Sequence, residues 1–366
     1  MKLFSINLLC ILFLLPIIGL ANNGIKKGNH IEEKRIHKEF KFVEGMLLNI
    51  NNSYGNIDIT AWDGNKIIVD VLIIVNAKSE VEAKQLINRI DVNYNVNRDD
   101  GIVTLLTKKE TYKHKDYREV HYQVKVPKNC HLNIYNNYGD ISIDESEASI
   151  SLKTYYGNIK AGKLMGTSKL ETSFSQRNTF EYIKNGAIKG QFCDYKIKKA
   201  ETLDIVEMTS SNGVINNVDN LKYKCNYGSL MIDNINTSID GKGEYLTTNI
   251  ENFLATEKIK IEAYYGYVDV KNWNNSLAEF DIDNAKLVLG YNSEIPFGIN
   301  LLTRNCKTES VLNSIPKELK SNHVDNKGSN QRYYVYHLKA THINHTLIKL
   351  ANGILRFRKS ESILQQ

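Results

Sequence analysis

Four carboxylates crowd one short stretch, Asp140, Asp144, Glu145 and Glu147, and acids set close together are the minimum equipment for cleaving a glycosidic bond. A glycoside-cleaving or lyase site on a repetitive β-scaffold needs such acids, and basic partners, on neighbouring units. The outward position three residues after each Tyr-Gly pair reads Asp58, Ser142, Lys160, Met231 and Asp269. Five residues after it stand Thr60, Asp144, Gly162, Asp233 and Lys271. Neither column gathers acids, so the cluster reads as a solvated strand end. His342 and His345 are three apart, which on a strand points them to opposite faces. Asp281-Ile282-Asp283 lacks the glycine and distal glutamate of a calcium loop. Gly241-Lys242-Gly243 has Leu246 where a dinucleotide loop places its last glycine, and there is no nucleophile elbow. No catalytic, metal or cofactor-binding residue is assigned, no cofactor is implied, and the chain is expected not to be an enzyme.

The aromatic residues carry more. Tyr138, Tyr156, Phe174, Tyr227 and Tyr265 fall in one column, with Tyr155 and Tyr264 beside it. Stacked rings along a scaffold could bind a glycan or a peptide strand, with Tyr138, Tyr156, Tyr227 and Tyr265 as the candidate ligand platform. In the alternative reading the rings cover glycine corners and stack on one another.

What positions that column is a repeat. "NNSYGNIDI" at Asn51, "YNNYGDISI" at Tyr135, "TYYGNIKA" at Thr154, "CNYGSLMI" at Cys225 and "AYYGYVDV" at Ala263 are variants of one strand entered through a Tyr-Gly corner. Gly139 and Gly157 stand 18 apart, Gly228 and Gly266 stand 38 apart, and Gly157 to Gly228 is 71. These spacings imply a unit of about 19 residues, or one fewer, throughout. Degenerate copies fall at Glu171, Phe192, Ser210 and Leu246. Two residues after the glycine come Ile57, Ile141, Ile159, Ile215, Leu230 and Val268, and four after it Ile59, Ile143, Ala161, Ile232 and Val270, which is a strand with one buried face. Asn217 interrupts the second column. The glycine is expected to supply the positive φ of the corner. At ~3.3 Å per residue such a unit closes one narrow turn of a coil. The expectation is therefore all-β: a single-stranded parallel β-solenoid over 129–295, near nine units and roughly 40 Å long. An antiparallel β-repeat or sandwich is the competing fold.

The flanks break the period. Ser79 with Glu82 forms a capping box ahead of the apolar face Ala83, Leu86, Ile87 and Ile90, predicting one helix. A strand at Ile67–Val75 precedes it. A hairpin over Val92–Leu106, turning at Asp100-Gly101, follows it, and the strand Val120–Val126 closes the segment. Beyond Pro296 the period lapses until strands at Arg332–Leu338 and Leu347–Phe357, where Asn352-Gly353 mimics the corner. The division is 1–21 leader, 22–128 an N-terminal α+β cap segment with the first Tyr-Gly strand, 129–295 repeats, and 296–366 an irregular linker with C-terminal capping strands.

The leader is the apolar run Leu3–Leu20 behind Met1-Lys2, ending at Ala21, which predicts a secretory signal peptide cut before Asn22; a retained anchor is the alternative. Cys10 lies within it, leaving Cys130, Cys193, Cys225 and Cys306, whose even number allows disulfides or buried thiols. The net charge of +6 on 366 residues is spread too thinly for a nucleic-acid footprint. No second segment could span a bilayer, so no integral membrane segment is expected after processing.

The order of leader, "YGNIDI" strand, "SEVEAKQLINRI" helix, "VKVPKN" strand and serial "YGDISI", "YGNIKA" and "YGSLMI" units resembles the bacterial secreted β-strand-repeat proteins labelled candidate adhesins of unknown function. The resemblance covers most of Ile50 to Val270. It implies a single-stranded β-solenoid at the periplasm, cell surface or secreted, and carries no catalytic residues with it. The expected role is binding or envelope architecture, with an envelope glycan or protein as the open choice of partner. A carbohydrate-active solenoid enzyme and an envelope signalling accessory are the alternatives.

Overall fold

The structure, a computed structural model, describes residues 28–97, 99–108, 117–254, 257, 259–273, 278–307, 310–311, 313–326, 330–338 and 345–360. The expected leader with its expected cut site at Ala21, Cys10 and His342 lie outside the described residues. The fold is all-β, 77% strand with one helix among the described residues, so strand pairing has to account for nearly all of it.

The N-terminal part runs β1 (His30–Lys41), β2 (Leu47–Ser53), β3 (Ile57–Trp62), β4 (Lys66–Ala77), α1 (Glu80–Arg89), β5 (Asp91–Asn97), β6 (Ile102–Lys108) and β7 (Tyr117–Pro127). The expected helix, hairpin and flanking strands are all present. Ser79 caps α1, its Oγ accepting from Glu82 N at 3.3 Å. The Glu82 carboxylate, however, accepts from Lys78 N at 3.2 Å, one residue earlier than a reciprocal box requires. Ala83, Ile87 and Ile90 are buried, and α1 packs on β1 and β4. The β5–β6 hairpin turns at Gly101 with φ +65.

The repeats follow as β8 (His131–Asn137), β9 (Ile141–Ser146), β10 (Ile150–Tyr155), β11 (Ile159–Phe253), β12 (Ile259–Tyr264), β13 (Tyr267–Trp273), β14 (Ala278–Asp283) and β15 (Lys286–Tyr291). A straight strand as long as β11, 95 residues, would stretch roughly 300 Å. It instead turns at Phe174, Phe192, Ser210, Tyr227 and Tyr245, each with positive φ. Its neighbours pair in parallel one unit apart: Ile150 lies opposite both Leu132 and Ser168, and Ile159 opposite Ile141, offsets of 18. Val268 lies opposite Thr248 and Leu287, offsets of 20 and 19.

Both departures from the period are excursions that return to the stack. Ile50 lies opposite Ile134 and Ile57 opposite Ile141, so β2 and β3 sit directly on β8 and β9 although α1 and β4 to β7 intervene in sequence. At the other end come β16 (Phe297–Arg304), β17 (Lys320–Asn326), β18 (Gln331–Leu338), β19 (His345–Ala351) and β20 (Ile354–Lys359). Ile282 lies opposite Leu350 and Leu287 opposite Leu355.

The sheet is mixed and not closed into a barrel, so the parallel pairing expected over 129–295 is one part of a larger mixed sheet. Interior pairs are parallel, while both ends are antiparallel: β7–β4–β1 and β6–β5 on one side, β16–β18–β17 on the other. An open end leaves a row of unpaired backbone groups that would template aggregation. Antiparallel strands cover it, and the outermost, β1, carries charged side chains along its exposed face at Glu33, Arg35, Glu39 and Lys41. The buried aliphatic columns form one core running from Met46 to Leu355.

Candidate functional site

The corner of each unit is built the other way round from the sequence expectation. The positive φ belongs to the first residue of the corner, which precedes glycine at Tyr54, Tyr138, Tyr156, Tyr227 and Tyr265 and another residue at Phe174, Phe192, Ser210 and Tyr245, at 49° to 61° throughout. Among the corner glycines only Gly228 also has φ between +20° and +160°. Where glycine follows, it supplies room: a Cβ on Gly139 would lie 2.0 Å from Gly55 O, and one on Gly157 would lie 2.0 Å from Gly139 O. The left-handed conformation costs a residue with a Cβ roughly 1–2 kcal/mol, and stacking of the rings offsets it.

Those rings form a column. Centroids run Tyr54–Tyr138 5.0 Å, Tyr138–Tyr156 5.2 Å, Tyr156–Phe174 4.8 Å and Phe174–Phe192 5.2 Å, with interplanar angles of 5° to 17°. Tyr155 meets Tyr156 and Phe174 edge-on. The Arg118 guanidinium lies 5.3 Å from the Tyr54 centroid at the first end. After Ser210 a second stack follows, Tyr227–Tyr245 4.9 Å and Tyr245–Tyr265 5.1 Å.

All four candidate platform residues lie in this column, Tyr138 and Tyr156 in the first stack and Tyr227 and Tyr265 in the second. Degenerate copies at Phe192 and Leu246 are legible in the sequence, but Phe192 and Tyr245 are left out of its aromatic column because Cys193 and Leu246 follow them instead of glycine; counting 18 onward from Phe174 finds Phe192. The same count places the next corner at Ser210-Ser211, two residues before the Asn212-Gly213 pair that the sequence suggests. Ile215, buried at 1% exposure, therefore belongs to the second apolar column, and Asn217 interrupts nothing. Tyr54, which the sequence column leaves out, is the first ring of the stack.

Although Tyr138 and Tyr156 are 45% and 46% exposed, their ring faces are covered by neighbours and only edges and hydroxyls reach solvent. A sugar that stacks needs a face, so these two rings serve the scaffold. We expect Tyr156→Phe to be nearly neutral and Tyr156→Ala to cost about 2 kcal/mol, from two stacking partners at ~0.5–1.5 each plus lost packing. Tyr156→Gly should fall between them, because glycine relieves the left-handed strain. Urea denaturation checks the order; equal stability of the alanine and phenylalanine variants would overturn the scaffold role.

Polar side chains tie the units together outside the column. Asn56 Oδ1 accepts from Asp140 N at 3.1 Å, Asp140 Oδ1 from Asn158 N at 2.8 Å, and Asn158 Oδ1 from Arg177 N at 2.9 Å. Farther on, Asn234 donates to Asn217, Asn252 to Asn234 and Asn272 to Asn252, each at 2.9 Å, an asparagine ladder of the kind parallel in-register strands support. The acidic cluster is spent the same way. Asp144 Oδ1 accepts from Ala61 N at 2.8 Å and Glu145 pairs with Lys128 at 2.9 Å, so these carboxylates do not converge on one point. In the outward columns Ser142 Oγ donates to Asp58 at 2.5 Å and Asn216 Nδ2 to Asp233 at 2.6 Å; Arg358 pairs with Asp269 at 2.6 Å. His345 faces Asn300 at 3.1 Å, and Asp283 accepts from Asn352 at 3.2 Å.

Beside the first stack lies a groove of about 320 Å³ lined by Tyr135, Lys153, Tyr155, Glu171, Ser173, Lys189, Gln191, Glu207 and Thr209, among others. Lys153 and Lys169, each 3.0 Å away, hold the Glu171 carboxyl below its usual range. Cys130, Cys193, Cys225 and Cys306 are free. Burial pushes the Cys130 and Cys225 thiols up to about 12, which leaves them protonated and unreactive. Among the described residues no group of three or more His, Cys, Asp or Glu is placed to hold a metal ion, and no helix is long and apolar enough to cross a membrane.

No family model and no curated protein matches the chain. Solved structures similar to it are candidate adhesins, the class its Tyr-Gly motifs resemble. One, a candidate adhesin of Bacteroides fragilis, is 14% identical, covers 89% of this chain and 97% of its own, and has a TM-score of 0.31. Another, from Parabacteroides merdae, is 12% identical over 91% and 98% with a TM-score of 0.31. A candidate cell adhesion protein of Clostridium sporogenes is 10% identical over 90% and 100% with a TM-score of 0.20.

Proposed function

We propose that this chain is an exported, non-enzymatic β-repeat protein, wound as a single-stranded parallel coil between antiparallel end caps, with an adhesin-like binding or envelope-structural role. The observation that carries the reading is the corner column: one residue per unit in the same left-handed conformation, its rings in register on parallel strands offset by one unit. A coil that spends its periodic residues on stacking becomes a stiff spacer, and its outward polar columns become a surface. The residues 129–295 form the coil proper, 22–128 and 296–366 supply the caps, and 1–21 direct export. The acids that a carbohydrate-cleaving coil would need are committed to bonds between units, which favours binding over catalysis.

Export and location are tested together. Intact-mass analysis of the protein recovered from the native cell envelope should show a chain beginning at Asn22, accessible to protease added to the outside of cells or to the opened periplasm. A cytoplasmic full-length species, or one retaining Met1 in the bilayer, would overturn the proposal.

A further inference from the structure

The aromatic column is interrupted once between Tyr54 and Tyr265, at Ser210, and the interruption is one ring high. Ser210 holds the corner conformation, φ 49, as Tyr245 does at 50. It sits in the unit between Phe192 and Tyr227: Ser211 Oγ accepts from Cys193 N at 2.9 Å, Asn212 Nδ2 donates to Asp194 at 2.9 Å, and Ser229 Oγ donates to Asn212 at 2.8 Å. Two units at ~4.8 Å place the flanking rings about 10 Å apart. Among the described residues Phe192 has a ring neighbour on one face only, Phe174, and Tyr227 only Tyr245. Both rings are about half exposed, 47% and 54%. The facing sides of these two rings are the ones on which, among the described residues, no aromatic ring is stacked, unlike both sides of the inner rings.

We propose that this gap is a binding slot for one planar aromatic side chain, a tyrosine, phenylalanine or tryptophan presented on an exposed segment of a partner protein. The guest completes the stack where a corner ring stands in the other units. Its thickness is set by the column itself, whose rings repeat at 4.8–5.2 Å, one per unit. The segment that carries the ring has polar groups to meet, because the groove beside the first stack runs through Gln191 and Glu207 to Thr209, the residue before Ser210. The slot follows from the column alone, so it stands or falls independently of export.

The test is saturation-transfer NMR on the folded protein with a glycine-flanked tryptophan pentapeptide, its alanine counterpart, and cellohexaose. The indole protons should be saturated and the alanine peptide silent. Ser210→Tyr, which fills the gap with the chain's own ring, should weaken the tryptophan peptide about tenfold or more, the loss of roughly 1.4 kcal/mol of stacking on two faces, and should raise Tm. Phe192→Leu keeps the bulk but removes one face, and should weaken binding even if the tyrosine variant folds poorly. Unchanged binding in Phe192→Leu, preference for cellohexaose, or no saturation of any probe would overturn the slot.

Discussion

Ile159→Asp will unfold the units on either side of it. Ile159 is fully buried, lies opposite Ile141 across a parallel pair, and belongs to the first apolar column. Ionised there, a carboxylate would lose its hydration without a cation in reach, which costs on the order of 5 kcal/mol, a large part of any domain's stability. The proper control is its neighbour: Lys160 is exposed, and Lys160→Ala should stay within about 0.5 kcal/mol. Ser142, which also points outward, is a poor control for an acidic substitution because it donates to Asp58, and an aspartate there would set two carboxylates against each other. Urea denaturation followed by circular dichroism decides the matter. Equal stability of Ile159→Asp and Lys160→Ala would show that inside and outside have been exchanged.

Gly157→Ala should cost about 3 kcal/mol, at the upper end of what overpacking costs, although the φ of Gly157 lies outside the left-handed range. The added methyl would stand 2.0 Å from Gly139 O and 2.7 Å from Thr154 Oγ1, so the two units must separate or the corner must shift. Ser175, the equivalent position one unit on, shows what accommodation requires. Its Oγ donates a hydrogen bond to Gly157 O, and the chain beyond it has slipped by one residue, because Ile159 N donates to Asn178 Oδ1, 19 positions on, while the corner itself repeats at 18. Gly157→Ala has no spare residue with which to make that adjustment. Hydrogen exchange should show the loss concentrated in β9, β10 and the first turn of β11. An alanine variant as stable as the parent would mean that the corner has room for a side chain and does not require glycine.

Much of this molecule is legible in one dimension, for a physical reason. Period-2 burial along a strand and capping at a helix start are local interactions, so Ile141, Ile143, Leu230 and Ile232 in the buried columns, the Ser79 cap and the Asp100-Gly101 turn could all be placed from the sequence. The spacing of 18 was equally plain wherever the corner carried both tyrosine and glycine. It blurred at Phe192 and Tyr245, where the aromatic residue remains but the glycine does not, and at Ser210, where neither remains. Which residue takes the positive φ could not be read at all. Glycine satisfies either demand, a left-handed residue or a residue without a Cβ, in isolation. Only the carbonyl of the next unit, 2.0 Å from where a Cβ on Gly157 would stand, assigns glycine to space and leaves the strain to the tyrosine.

Stacking between units decided the rest. That Tyr54 rests on Tyr138 across the whole N-terminal excursion, or Leu355 on Leu287 across the C-terminal one, leaves no local trace, since an excursion of any length is thermodynamically cheap if its ends meet. The antiparallel ends answer to unpaired edges that exist only once the parallel interior has formed. The same holds for the candidate platform. Sequence put tyrosines in one column, but whether a ring offers its face or its edge depends on the ring above it, and that neighbour is a unit away in sequence and about 5 Å away in space.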